Sequence, residues 1–192
     1  MKKNNYKKSM EIINSQFQVK GVKTFEGMEG YGINANLYFE GKKVAFILDE
    51  GNGGCLDVRW DRDKGYRWND NPLIPLMKTL PKTTYLEVYG KDECDLGEYK
   101  WDEESVCNCL VDEYLAKQEF KKCLKKVSVL LDDNTIATYK ANASDLDATY
   151  NLKEGKITFR EYVLKDKSVK TILNDLPLDD AFNVYMKNRE VA

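Results

Sequence analysis

The strongest constraint on how this chain folds is a switch in hydrophobic period after about residue 20, from helical spacing to strict alternation broken by glycine-rich turns. In "INANLYF", Ile33, Ala35, Leu37 and Phe39 point one way and Asn34, Asn36 and Tyr38 the other, the pattern of a half-buried strand. After a Gly-Lys-Lys turn, "VAFIL" (Val44 to Leu48) is apolar throughout, as a strand covered on both faces requires. "CLDVRW" alternates again, with Leu56, Val58 and Trp60 inward against Asp57 and Arg59. With "VKTFEG" ahead of them, these four runs predict an antiparallel meander. Seven of the chain's twelve glycines fall between Phe25 and Gly54. "DEGNGG" (Asp49 to Gly54) leads into a strand and lacks a following Gly-Lys-Ser/Thr, so it does not read as a phosphate cradle. Asp49, Glu50 and Asn52 do not give the alternating oxygens of a calcium loop. Asn-Gly favours positive φ, which reads these glycines as turns of a small sheet.

Helical signals flank the meander. Met10, Ile13 and Phe17 predict a short amphipathic helix over residues 1–18. "NPLIPLMKTLP" predicts a short helix ending at Pro81, and "YLEVYG" a further strand. Asp102 reads as the N-cap of a long helix, with Trp101 and Val106 as its hydrophobic staple. Val106, Cys109, Leu110, Phe120 and Leu124 form its stripe. Lys117 and Lys121 lie close to that stripe, which predicts that the helix breaks or leaves the core near Ala116. Beyond it, "KVSVLLDDNTIATYKA" predicts a hairpin, "SDLDATYNL" a short helix capped by Ser144, and "GKITFREYV" a strand. "DKSVKTILNDLPLDDAFNVYMKN" reads as a helical turn or two, then a last helix with Leu178, Ala181, Phe182, Tyr185 and Met186 on its apolar face. The class is α+β, with antiparallel meander lobes packed against helices. The acidic stretch after Tyr89 sets the expected boundary between an N-terminal lobe, 1–90, and a C-terminal lobe, 91–192, that opens with the long helix.

Composition excludes more than it assigns. Thirty basic residues stand against 32 acidic ones, a net charge of −2, which argues against a protein that coats nucleic acid over its whole surface. No apolar run follows the N-terminal lysines, and no stretch approaches the roughly 20 apolar residues of a membrane span. The expectation is a soluble protein of the cytoplasm with no membrane partner. There is no histidine, which removes Ser-His-Asp and Cys-His nucleophiles, histidine-ligated zinc and imidazole acid–base chemistry. Five cysteines form an odd set without regular spacing and read as reduced thiols. Cys107 and Cys109, two apart on a helix, point about 200° apart around its axis, so they do not meet one metal ion. No cofactor, no metal and no catalytic residue is expected, and the chain is read as a non-enzyme.

Three candidate surfaces remain. From Glu87 to Glu104 there are eight acidic residues and two lysines. Such a run is a solvated face, a carboxylate metal site for hydrolysis, or a mimic of phosphates that occupies a partner's groove. The partner-binding candidates within it are Asp92, Glu93, Asp95, Glu98, Asp102 and Glu103. In the polar loop "DRDKGYRWNDNP", Tyr66, Arg67 and Trp68 have the composition of a protein-binding hot spot. Lys117, Lys121, Lys122, Lys125 and Lys126 either complement the end of a helix or touch nucleic acid directly.

The stretch "KTFEGMEGYGINANLYFEGKKVAFILDEGNGG", and more weakly "ILNDLPLDDAFNVYM", resembles uncharacterised proteins of bacteriophages and other mobile elements of Gram-positive and gut bacteria. The resemblance implies anti-defence company, in which some small proteins are anti-CRISPR inhibitors that bind and block a host nuclease. It transfers no functional residue. The expectation is therefore a phage- or mobile-element-encoded inhibitor that occupies the surface of a host nuclease or nucleoprotein complex. The alternatives are a nucleic-acid-binding protein that uses the lysines and a carboxylate- or metal-dependent hydrolase.

Overall fold

A computed structural model of the chain describes residues 5–89, 97–152 and 155–189. The chain divides into two compact units, Met1–Tyr114 and Leu115–Ala192, and its class is α+β with antiparallel sheets.

The first unit opens with α1 (Asn5–Gln16), which buries Met10 and Ile13. The predicted meander follows as β1 (Phe17–Glu26), β2 (Tyr31–Phe39), β3 (Lys42–Asp49) and β4 (Asp57–Trp60), paired in that order. Its register shows why the alternation matters. Val19, Leu37, Ala45 and Trp60 stand opposite one another across all four strands, and none is more than 8% exposed. Ala35, Ile47 and Val58 form the neighbouring row. One residue of slip in any strand would turn its share of these rows to water. β1 is an edge strand with a bulge, since its register jumps between Lys20 and Lys23. Gly21 sits there at φ +64, the left-handed conformation that such a bulge requires.

The sheet is followed by α2 (Leu73–Met77), β5 (Thr83–Thr84), α3 (Tyr85–Tyr89) and β6 (Glu98–Tyr99), and then by α4 (Glu103–Cys123). "YLEVYG", expected as a strand, is the helix α3. The cause is a capping box: Thr84 N–H donates to the Glu87 carboxylate at 3.0 Å, and Glu87 N–H to Thr84 Oγ1 at 3.3 Å. Asp102 caps α4 as expected, its Oδ1 accepting the Ser105 N–H at 2.8 Å. Around α1, β6 and α4, Trp101 stacks on Tyr6 with ring centroids 6.2 Å apart and meets Tyr99 edge-on at 5.1 Å. α4 does not break at Ala116. Ala116 and Phe120 stay buried, and exposed Lys117 lays its Nζ 5.9 Å over the Phe182 ring, so the lysine does not interrupt the apolar stripe.

In the second unit, β7 (Lys126–Leu131) is the centre of a three-stranded sheet, between β8 (Ile136–Asn142) and β11 (Val169–Ile172). A separate hairpin is made of β9 (Thr149–Leu152) and β10 (Gly155–Thr158). Three expectations are corrected here. "SDLDATYNL" gives one 3₁₀ turn, Ala143–Asp145, and then β9. Ser144 Oγ bonds the Asp145 carboxylate instead of capping a helix. "GKITFREYV" leaves the strand at Thr158, where a second capping box, Thr158 with Glu161, starts α5 (Phe159–Leu164). "SVKT" and Ile172 supply β11, whose Ile172 stands opposite Val129 and is buried, and the helical turn before the last helix is only the 3₁₀ turn Leu173–Asp175 that follows.

Val127, Val129, Leu146, Val163 and Ile172 form the core of this unit. The last helix, α6 (Leu178–Asn188), packs Ala181 and Tyr185 with Ala116 and Phe120 of α4 in a second cluster. Leu178, expected on that apolar face, is 63% exposed because it is the first residue of the helix.

Candidate functional site

The Tyr66-Arg67-Trp68 loop is built by its neighbours within the first unit. Trp60 ends β4 buried, and its indole N–H donates to the Glu103 carboxylate at 3.1 Å. Asp61 N–H then returns to the Val44 carbonyl at 2.9 Å, tying the start of the loop to β3. One 3₁₀ turn, Arg62–Lys64, is closed by Gly65 in the left-handed region at φ +87. Tyr66 lays its ring 6.1 Å from that of Trp60. Arg67 and Asp70 exchange both backbone hydrogen bonds, at 2.9 and 3.1 Å, which places Trp68 and Asn69 at the tip of a tight turn.

Asn71 locks this arrangement. It is 6% exposed. Its amide donates to the carbonyls of Arg67 at 3.0 Å and Trp68 at 3.1 Å, and more distantly to the Glu103 carboxylate at 3.5 Å. Its Oδ1 accepts the buried Leu73 N–H at 3.0 Å, which fixes the start of α2. Burial pushes the Glu103 carboxyl above its ordinary value, with the hydrogen bonds from Trp60 and Asn71 pulling the other way. Trp68 itself is 79% exposed. The same loop bounds a shallow hollow of about 350 Å³, lined by Lys64, Gly65, Tyr66, Asp70, Asn71 and Pro72 and not by Trp68.

The acidic run has a different fate. Asp92, Glu93 and Asp95 lie outside the described residues. The other five carboxylates each bond the chain's own groups. Glu87 holds α1 and β5 through the Asn5 and Thr84 N–H groups. Glu98 pairs with Lys82 at 3.0 Å. Asp102 caps α4, Glu103 holds Trp60 and Asn71, and Glu104 accepts the Leu56 N–H at 3.2 Å. These acids brace elements of the fold, and their structural use was visible only at Asp102.

Lys117, Lys121, Lys122, Lys125 and Lys126 are all exposed, spread from the last turns of α4 to the first residue of β7. The chain ends of these elements are organised by a residue that composition does not flag. Asn174 donates to the carbonyls of Leu124 at 3.1 Å and Lys126 at 3.0 Å, and accepts the Ser128 N–H at 2.8 Å.

The thiols of Cys107 and Cys109 are buried. Burial pushes both up, Cys109 to about 11, so neither is a thiolate at neutral pH. Among the described residues, no three Cys, Asp or Glu side chains converge where a metal ion would sit. No described helix is long and apolar enough to cross a membrane. Comparison with protein-family models, with curated proteins and with solved structures finds no match.

Proposed function

We propose that the protein works by contact with a partner protein, through the loop centred on Trp68. The observation that carries this reading is an indole 79% exposed on a backbone held by Asn71 and the Arg67–Asp70 pair. Tryptophan is usually buried over most of its surface. Here it is presented by a rigid turn, so little conformational freedom is left to lose on binding. Trp and Arg dominate binding hot spots, and Arg67 stands beside Trp68. The hollow formed by Tyr66, Asp70 and Asn71 in the same loop offers a place for one side chain of the partner.

The resemblance to phage and mobile-element proteins makes a host defence nuclease the partner to try first, with inhibition by occupancy of its surface. The test is cleavage by a panel of purified CRISPR effector nucleases, with the wild-type protein and with Trp68→Ala. Inhibition by the wild type that weakens on removing the indole supports the reading. If Trp68→Ala binds and inhibits equally well, the loop is not the surface. If no nuclease is bound or slowed, the defence target is wrong.

A second reading rests on the exposed lysines at the end of α4. It expects a fluorescent single strand or duplex to bind at low salt and to be released steeply as salt rises.

A further inference from the structure

At the end of the meander away from Trp68, two turns are packed back to back. The β1–β2 turn closes on itself, with Gly27 N–H to the Gly30 carbonyl at 2.7 Å. It is then pinned to the β3–β4 connection by Glu29 N–H to the Gly51 carbonyl at 2.9 Å. Gly51 N–H in turn donates to Asp49 Oδ1 at 2.8 Å. No side chain fits between the turns. A Cβ on Gly27 would lie 2.5 Å from the Gly51 carbonyl oxygen, and one on Gly51, which is at φ +65, would lie 2.7 Å from the Gly32 nitrogen. The glycines that read as simple turn-formers therefore also weld two turns into one rigid knuckle.

The knuckle presents apolar groups to water. Met28 is 95% exposed, Tyr31 76% and Phe25 37%. Scattered apolar side chains on a surface are ordinary, but Met28 and Tyr31 meet at one cross-bonded turn, while Phe25, opposite Gly32 where Tyr31 is opposite Glu26, points to the other face of the sheet. The two turns also carry charge of a single sign, with Lys23, two positions before Phe25, the first cation outside them along β1. The segments Phe25–Gly32 and Asp49–Cys55 hold Glu26, Glu29, Asp49 and Glu50 and no lysine or arginine. The nearest arginine along β4, Arg59, is paired with Asp57 at 2.7 Å.

We propose that this knuckle is a second docking surface, and that its occupant is a protein groove with an apolar floor rimmed by lysine or arginine, of the kind that proteins use to hold a nucleic-acid backbone. Charge complementarity selects the rim, since like charge opposite the four carboxylates would be repelled. The apolar centre within a charged rim matches the usual anatomy of a protein interface. The proposal stands apart from the Trp68 reading. β3 runs from Lys42 and Lys43, next to the Trp68 loop, to Asp49 at the knuckle, so the two surfaces can be altered separately.

The test is a ¹⁵N NMR titration of the full chain with a synthetic peptide alternating Arg and Leu, with Arg–Ser and Glu–Leu peptides in parallel. The expected result is amide shifts confined to Gly27–Tyr31 and Gly51–Gly54 with the Arg–Leu peptide. Affinity should fall about tenfold in the Met28→Ser/Tyr31→Ser double variant, as for loss of an interface anchor. It should fall with salt and in Glu26→Lys/Glu29→Lys, and stay unchanged in Trp68→Ala. An equal response to the Arg–Ser peptide would reduce the effect to charge alone and overturn the proposal. So would shifts spread over the other acidic surfaces, or none at the knuckle.

Discussion

Replacing Asn71 by alanine separates the scaffold of the Trp68 loop from the indole it carries. The substitution removes the hydrogen bonds to the Arg67 and Trp68 carbonyls and leaves the buried Leu73 N–H without its acceptor. An unsatisfied buried amide costs about 1–3 kcal/mol. The two carbonyls belong to exposed residues that water can reach, so each lost bond counts for about 0.5–1 kcal/mol. The total is about 2–5 kcal/mol, against the ~5–15 kcal/mol that typically holds a folded protein. In a chain of this size each kcal/mol lowers Tm by about 2–4 °C, so a drop of roughly 4–20 °C is expected. Urea unfolding measures the loss, and hydrogen exchange locates it: the Arg67, Asp70 and Leu73 amides should lose protection while β2 and β3 keep theirs. Asn71→Asp should be no better than alanine, because it aims a carboxylate at two carbonyls and at Glu103. A stability change under about 0.5 kcal/mol, the range of an ordinary surface substitution, with Arg67 and Asp70 still protected, would refute the idea that Asn71 organises the loop.

Three further outcomes follow from the same contacts. Because burial raises the folded-state pKa of Glu103, the folded protein holds its proton longer than the unfolded chain does. Its contribution is therefore fully present below the ordinary carboxyl value of 4.5 and is lost as pH rises through the higher folded value. Urea unfolding across that window should show Glu103→Gln, which has no such proton to lose, removing this part of the pH dependence. Alkylation read by mass spectrometry should label exposed Cys55 first among the described cysteines, with Cys107 and Cys109 reacting only on unfolding. Asn174→Ala should destabilise the second unit by about 1.5–4 kcal/mol through three lost hydrogen bonds, seen as lost exchange protection at Ser128.

The meander was legible because period-2 alternation and its glycine punctuation act locally, and the register that aligns Val19, Leu37, Ala45 and Trp60 follows from them. Two of the departures, α3 and α5, share one cause. "TTYLEVYG" and "ITFREYV" are rich in residues that favour strands, yet each contains a Thr-x-x-Glu box that starts a helix, at Thr84 and Thr158. The reciprocal hydrogen bonds of the box outweigh the strand propensity of the residues that follow it. "SVKTIL" was missed for another reason. β11 exists because β7 has an open edge for it, and that edge lies almost 40 positions away in the chain. At the candidate site the exposure of Trp68 was readable from its polar surroundings. The roles of Asn71 and Glu103 were not, because each depends on groups that only the fold brings near.

The bulge at Gly21 bears on what happens when many copies of this chain crowd together. A straight ten-residue flank would offer an even ladder of donors and acceptors on which another strand could template itself. Gly21 throws that ladder out of step, and Lys20 and Lys23, on either side of the irregularity, place positive charge where a second flank would have to lie. The sheet thus ends on this side by its own geometry, which guards the chain against fibril-like growth while its turns stay open to other contacts.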